Sequence, residues 1–151
     1  MAANTNPIFG RTPDIQVGAA VLGPTAVTLQ DGTGATPIIF MADATEGGYV
    51  DRVILKSVGS PAATVARVFF CTSTVASGSF TPGTTNTAAN TSMLAEASLT
   101  AVTTSNTVAQ NDVVIPIRMP IPAGMKLLIG FGTSTGAAGT GYAVTVVGSK
   151  Y

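Results

Sequence analysis

Short apolar segments rich in β-branched residues recur along almost the whole chain, and turns containing glycine or proline separate them. Alternation of apolar and polar residues with a period of two predicts strands that bury one face. Eight segments fit this description, at residues 15–22, 36–41, 49–58, 64–72, 92–99, 112–119, 125–132 and 141–148. Eight short strands predict an all-β fold, an antiparallel two-sheet sandwich of the jelly-roll type.

In two of these segments, the pattern predicts which residues share a face and how the two segments pair. In 49–58, Tyr49, Asp51, Val53, Leu55 and Ser57 fall on one face, and Val50, Arg52, Ile54, Lys56 and Val58 fall on the other. The segment 64–72 alternates in the same way, with Phe69 and Cys71 opposite Ala66 and Val68. Because only the short turn "GSPAA" separates the two segments, we expect them to form an antiparallel hairpin.

Two other segments carry residues that are unusual in a strand. Pro116 cannot donate a hydrogen bond to a neighbouring strand, so the segment 112–119 is expected at a sheet edge or with a bulge. The segment 92–99 contains an Ala-Glu-Ala core with reasonable helical propensity, and we favour a strand there over a helix.

Two long connections separate the strands. Residues 73–92 are rich in Thr, Asn, Gly and Ala, and they are too many for an ordinary hairpin loop. The second connection is "TSTGAAGTG". Together with the residues before it, as "GFGTSTGAAGTG", it resembles a phosphate-binding glycine loop only superficially, because Gly130, Gly132 and Gly136 have the wrong spacing and no helix is predicted after them. We therefore expect a simple loop between the last two strands.

Few charges are available for interactions with solvent or with nucleic acid. Charged residues make up 9% of the chain, with seven basic and seven acidic side chains, and a net charge near zero promotes association. This balance predicts a subunit of a larger assembly, whereas the alternative is a monomer kept soluble by hydroxyl and amide groups. Arg52 and Lys56 are the closest basic pair and do not form the basic cluster that phosphate binding needs, so no direct nucleic-acid partner is expected.

The residue types needed for most catalytic and metal sites are missing. The chain has no histidine, which removes Ser-His-Asp and Cys-His catalysis, and its single cysteine, Cys71, is expected to be a buried strand thiol. Asp31, Asp43 and Glu46 are interpreted as turn carboxylates, with a carboxylate pair for glycan hydrolysis or calcium as the alternative. We predict no catalytic residue, no metal site and no cofactor, and hence a protein that is not an enzyme.

The chain begins without a charged n-region and an apolar h-region of signal-peptide length, so synthesis in the cytoplasm is expected. No uninterrupted apolar run approaches the roughly 20 residues that span a bilayer, and no membrane partner is expected.

Several motifs together are similar to one family of virus proteins. These are "NPIF" near the start, "DGTG", "GGYVDRVILKSVG", a strand ending in "VFF", and a late "IPAGMKLLIGF". In this combination, from Asn6 to about Phe131, the chain resembles the head decoration or cement proteins of tailed bacteriophages. The resemblance implies a jelly-roll-like protein on the outside of the virion capsid that bridges subunits of the major capsid protein and stabilises the shell. The chain departs from the family pattern by a longer Thr/Asn-rich insertion at residues 73–92.

The first residues are predicted to form an extended arm, residues 1–14, ahead of a β-sandwich domain, residues 15–151. The arm is aperiodic, is stiffened by prolines and is too short to form a core, so its apolar groups gain most by docking on a neighbouring subunit. The predicted contact residues are Asn6, Pro7, Ile8, Phe9, Arg11 and Pro13. The alternative is that the arm folds back on its own sandwich. The predicted partners are the major capsid protein and further copies of the chain, as a dimer or trimer.

A second class of function shares the same architecture and low charge. A structural protein of a phage tail or baseplate would use the long loops to contact a receptor or a glycan. The absence of Trp and the presence of only three Tyr weaken a sugar-binding interpretation, because sugar platforms favour exposed aromatic rings.

Overall fold

The computed structural model describes residues 12–22, 30–35, 37–73, 84–107, 109–110, 112–134 and 139–151. These residues form eight β-strands, and they contain no helix that is long and apolar enough to cross a membrane. The strands are β1 (Thr12–Leu22), β2 (Ile38–Met41), β3 (Gly48–Val58), β4 (Thr64–Cys71), β5 (Thr91–Leu99), β6 (Val113–Ile121), β7 (Lys126–Phe131) and β8 (Gly141–Lys150).

The strands form two four-stranded antiparallel sheets. The first sheet has the order β1-β8-β3-β6 and the second has the order β2-β7-β4-β5. β1 pairs with β8, β2 with β7, β3 with β6 and β4 with β5, as if one long two-stranded ribbon had been rolled up. This is the strand arrangement of a jelly roll, and the predicted all-β two-sheet sandwich is confirmed.

The main core lies between the two sheets. β7 runs through the second sheet with all six of its residues buried, and its side chains divide between the two faces. Leu127, Ile129 and Phe131 contribute to the main core. From the facing sheet, Val53, Leu55, Val144 and Val146 reach the same core and are fully buried. The alternation of apolar residues therefore brings the inner faces of the two sheets together, as the pleat requires.

The predicted hairpin of 49–58 with 64–72 is wrong. β3 lies between β8 and β6 in the first sheet, whereas β4 lies between β7 and β5 in the second. The turn between β3 and β4 therefore crosses from one sheet to the other. Alternation shows that each strand has an apolar face, but two such faces can be buried equally well across a sandwich as within one sheet.

A bulge also changes one predicted face. The register of β3 shifts between Val50 and Arg52 against both of its neighbours. Against β8 the shift leaves Asp51 as an extra residue, whereas against β6 the extra residue lies in β6, between Pro116 and Met119. As a result Val50 is fully buried on the same side as Val53, instead of sharing the outer face with Arg52. Strict alternation placed Val50 on the wrong face because a bulge resets the period. In β4 the predicted faces agree with the burial, with Ala66 and Val68 in the main core.

Three further predictions about the strands are confirmed. Pro116 lies in β6, which is an edge strand and also carries a register shift. Within that shift Arg118 has a φ of 50°, in the left-handed region. Residues 91–99 form a strand and not a helix, and Cys71 is a free, buried thiol.

The predicted arm is largely outside the described residues, as are Asn6, Pro7, Ile8, Phe9 and Arg11. β1 begins at Thr12, so the last three residues assigned to the arm belong to the first strand of the sandwich. Pro13 is exposed, and its backbone lies opposite Ser149 of β8.

Candidate functional site

The outer face of the first sheet presents apolar side chains from three neighbouring strands, β6, β3 and β8. Ile54 of β3 lies directly between Val114 of β6 and Thr145 of β8. Val114 is 50% exposed, more than Met41 or Met93, the other exposed large apolar side chains among the described residues. In the next row, Arg52 lies between Pro116 and Val147. We call this outer face, defined by Arg52, Ile54, Val114, Pro116, Thr145 and Val147, the docking face.

The charges on and beside the docking face occur in pairs. The Arg52 guanidinium contacts the Asp51 carboxylate, and Lys56 Nζ lies 3.5 Å from Asp112 Oδ1. All four side chains are more than one-third exposed, and exposed ion pairs of this kind contribute at most about 1 kcal/mol. The face is therefore close to neutral, and it suits an apolar or polar uncharged partner better than a strongly charged one.

Each sheet edge carries a feature that hinders the addition of another strand. Pro13 lies in β1, and β6 contains Pro116 and Pro120. β2 has only four residues and a register shift of its own. In β5, a shift against β4 leaves Leu94 as an extra, bulged residue. Prolines, bulges and short edge strands all disfavour edge-to-edge pairing, so association through a face or a loop is favoured.

Part of the outer face of the second sheet is covered by the chain itself. Phe69, Cys71 and Leu128 point outward from this sheet and pack with Ala35 in a second small cluster, in which all four side chains are buried. The segments 30–35 and 84–90, which flank this cluster in the fold, are joined by one side chain. The Asn86 amide nitrogen donates to the carbonyl oxygens of Gly32 at 2.7 Å and Ala35 at 2.6 Å.

Two buried polar side chains in this region were not found by sequence reasoning. Asn86 is fully buried, but in the sequence it is one asparagine within a polar stretch, and nothing distinguishes it from its neighbours. Lys126 is 1% exposed, and its Nζ donates to the carbonyl oxygens of Ser73 at 2.6 Å and Gly124 at 3.3 Å. Burial lowers the pKa of Lys126. A lysine that begins an apolar strand would ordinarily be expected to reach solvent.

The carboxylates that were considered as site candidates take part in turns. Asp31 Oδ1 accepts hydrogen bonds from the backbone N–H and the hydroxyl of Thr33, which lower the pKa of Asp31. Asp43 Oδ1 accepts from the backbone N–H groups of Thr45 and Glu46, and these bonds lower the pKa of Asp43. Among the described residues, no three His, Cys, Asp or Glu side chains form a group that could hold a metal ion.

Comparison of the chain with protein-family models, with characterised proteins and with solved structures gives no match.

Proposed function

We propose that this protein is a structural subunit of a tailed-phage virion that decorates the outside of the head. In this role the jelly roll binds assembled major capsid protein through the docking face and bridges adjacent capsid subunits. The bound subunits stabilise the shell because each one adds contacts that must break before two capsid subunits can separate.

The observation that carries the proposal is the contrast between the two outer faces. On the second sheet, Phe69, Cys71 and Leu128 are buried in a separate cluster, and Met93 on the edge strand β5 stays exposed. The first sheet presents Val114 beside Ile54 in the near-neutral docking face. The blunted sheet edges leave this face as the favoured surface for association. Two features of the sequence support a capsid as the partner of this face: the low charge of the chain and the resemblance of its motifs to decoration proteins.

The size of the docking face indicates that it needs help from a second contact. The docking face lies on three of the four strands of the first sheet, and that sheet as a whole measures only roughly 20 Å by 30 Å, or about 600 Å². A stable protein interface buries about 800 Å² on each partner, so the face alone would give a weak complex. The arm, with Ile8 and Phe9, would supply the missing apolar area on a neighbouring subunit.

A substitution within the docking face tests the proposal. Val114→Lys places a charge within the buried contact, and it should weaken binding to decoration-free heads at least tenfold in a co-sedimentation assay. Met93→Lys is the matched control, because Met93 is 40% exposed on β5 of the other sheet, and its binding should remain at the wild-type level. Equal binding of wild type and Val114→Lys would refute the docking face.

Removal of the arm tests the second contact. Since β1 begins at Thr12, deletion of residues 2–11 leaves the described strand intact. We expect the truncated chain to fold with the wild-type thermal midpoint and to bind heads more weakly. Undiminished binding would show that the arm does not contribute to binding on a neighbouring subunit. Electron microscopy of the particle locates the protein directly, and density on the tail instead of the head would replace this proposal by the tail alternative.

A further inference from the structure

A cavity of about 320 Å³ opens at one end of the sandwich, between the two sheets. Its inner wall is apolar, with Leu55 from β3, Leu99 from β5 and Val113 from β6. Its rim is formed by residues 100–103 and Gln110, from the connection between β5 and β6. The volume lies at the lower limit of the range typical of small-molecule sites, about 300–1,000 Å³.

Hydrogen bonds hold the rim in place. The Val102 N–H donates to the carbonyl oxygen of Pro61 at 3.1 Å, and the Thr104 N–H donates to Ser60 Oγ at 3.1 Å. The turn between β3 and β4 thus anchors the connection that lines the opening. A cavity whose rim is already fixed requires little rearrangement when a ligand enters.

Two side chains that line the cavity carry hydroxyl groups without a partner. Ser57 and Tyr142 are directly opposite each other on β3 and β8. Neither Ser57 Oγ nor Tyr142 OH has a hydrogen-bond partner among the described residues, although both oxygens are shielded from solvent. Buried polar groups in folded proteins are nearly always hydrogen-bonded, so a pair of unpartnered hydroxyls beside one cavity requires an explanation.

The surroundings of Tyr142 keep its hydroxyl in one place and in its neutral form. The Tyr142 ring stacks on Phe131, with ring centroids 5.5 Å apart and an interplanar angle of 12°. Burial raises the pKa of Tyr142, so the phenol remains a hydrogen-bond donor throughout the physiological range.

We infer that this cavity is a binding site for a small uncharged amphipathic molecule. Once side chains at the opening move aside, its hydroxyl or carbonyl group supplies the partner that the shielded hydroxyls of Ser57 and Tyr142 lack. Its apolar part packs on Leu55, Leu99 and Val113. The described lining residues include no ionic side chain, so a charged ligand would lose its hydration without gaining a counter-charge. The site is independent of the docking face, and its failure would leave the proposed function untouched.

Benzyl alcohol and benzylammonium are a suitable pair of probes, because they share a ring and differ in charge. In methyl NMR spectra of the full chain, benzyl alcohol should cause saturable shifts of the Leu99 and Val113 methyl signals with a Kd in the millimolar range. Benzylammonium should cause none. Absence of shifts with benzyl alcohol, or equal shifts with both probes, would overturn the inference.

Removal of one hydroxyl gives a second and independent readout. Tyr142→Phe keeps the ring but removes the unpartnered group, so the thermal midpoint of the free protein should rise by a few degrees while the affinity for benzyl alcohol falls at least fivefold. Tyr49→Phe is the matched control, because Tyr49 is half-buried and is not among the residues that line the cavity, and it should change neither quantity. A fall in the thermal midpoint of Tyr142→Phe would show that the hydroxyl is already satisfied, and would contradict the inference.

Discussion

Replacing Asn86 by aspartate tests whether a single buried amide holds the cover on the outer face of the second sheet. Asn86 uses one nitrogen to donate to two carbonyl oxygens, those of Gly32 and Ala35, at 2.7 and 2.6 Å. Loss of both hydrogen bonds, as in Asn86→Ala, should cost about 1–3 kcal/mol of unfolding free energy. Asn86→Asp additionally places a carboxylate oxygen against these carbonyl oxygens, and the cost at neutral pH should reach about 3–5 kcal/mol.

The cost of Asn86→Asp should depend on pH with a defined sign. Repulsion by the two carbonyl oxygens raises the pKa of the new carboxyl group in the folded state above its ordinary value of about 3.9. Such a group contributes its stability below the unfolded-state pKa, and that stability is lost as the pH rises through the folded-state pKa. Asn86→Asp should therefore approach Asn86→Ala in stability at about pH 4 and fall below it at pH 7.

Urea unfolding followed by circular dichroism at the two pH values measures these differences. Asn90→Asp is the matched control, because Asn90 Oδ1 accepts hydrogen bonds from the Thr87 N–H at 2.8 Å and from the Thr91 hydroxyl at 2.9 Å. A carboxylate oxygen can accept both of these bonds, and the other carboxylate oxygen would face one carbonyl oxygen, that of Thr85, instead of two. Asn90 is also only half-buried, so the cost of Asn90→Asp should be smaller than that of Asn86→Asp. If Asn86→Asp is as stable as Asn90→Asp at pH 7, the amide of Asn86 does not hold the two segments together.

Three further substitutions probe the backbone and the turns. In a thermal unfolding assay, Gly148→Ala should destabilise the fold by about 3 kcal/mol or more, because the new Cβ would lie 2.2 Å from the Tyr49 carbonyl oxygen. Gly124→Ala is its control. This residue has open space around its Cβ, so the substitution should cost only the strain of a left-handed backbone, about 1–2 kcal/mol. Arg118→Gly removes left-handed strain and should leave stability unchanged or raise it by up to about 1 kcal/mol, whereas a clear loss would show that the Arg118 side chain matters more than its φ of 50°. Asp43→Asn should reduce the stability that the protein loses on acidification. The pKa of Asp43 is lowered in the folded state, so the stability contributed by its carboxylate disappears as the pH falls below 3.8. Identical pH profiles of stability for the two proteins would contradict this role of the carboxylate.

The docking face shows where prediction from the sequence stops. Alternation in 49–58 placed Arg52, Ile54 and Lys56 together on one face, and the structure agrees. Nothing in the sequence indicated that Val114 lies beside Ile54, because that contact depends on which strand is the neighbour of β3 and in which register. The same limit applies to Ser57 and Tyr142, which belong to distant segments and meet only through the pairing of β3 with β8.

The sequence by itself determined the strand content, the sandwich class, the buried position of Cys71 and the edge position of the strand that contains Pro116. Each of these follows from a local cause, namely the two-residue period of the pleat, the apolar surroundings of one thiol, or the missing N–H of one proline. Only the tertiary structure decided that β3 and β4 lie in different sheets, that Val50 turns inward at a bulge, and that Asn86 is buried between two loops. These outcomes depend on which distant surfaces pack together, and the energy of that packing is not encoded in the pattern of any single segment.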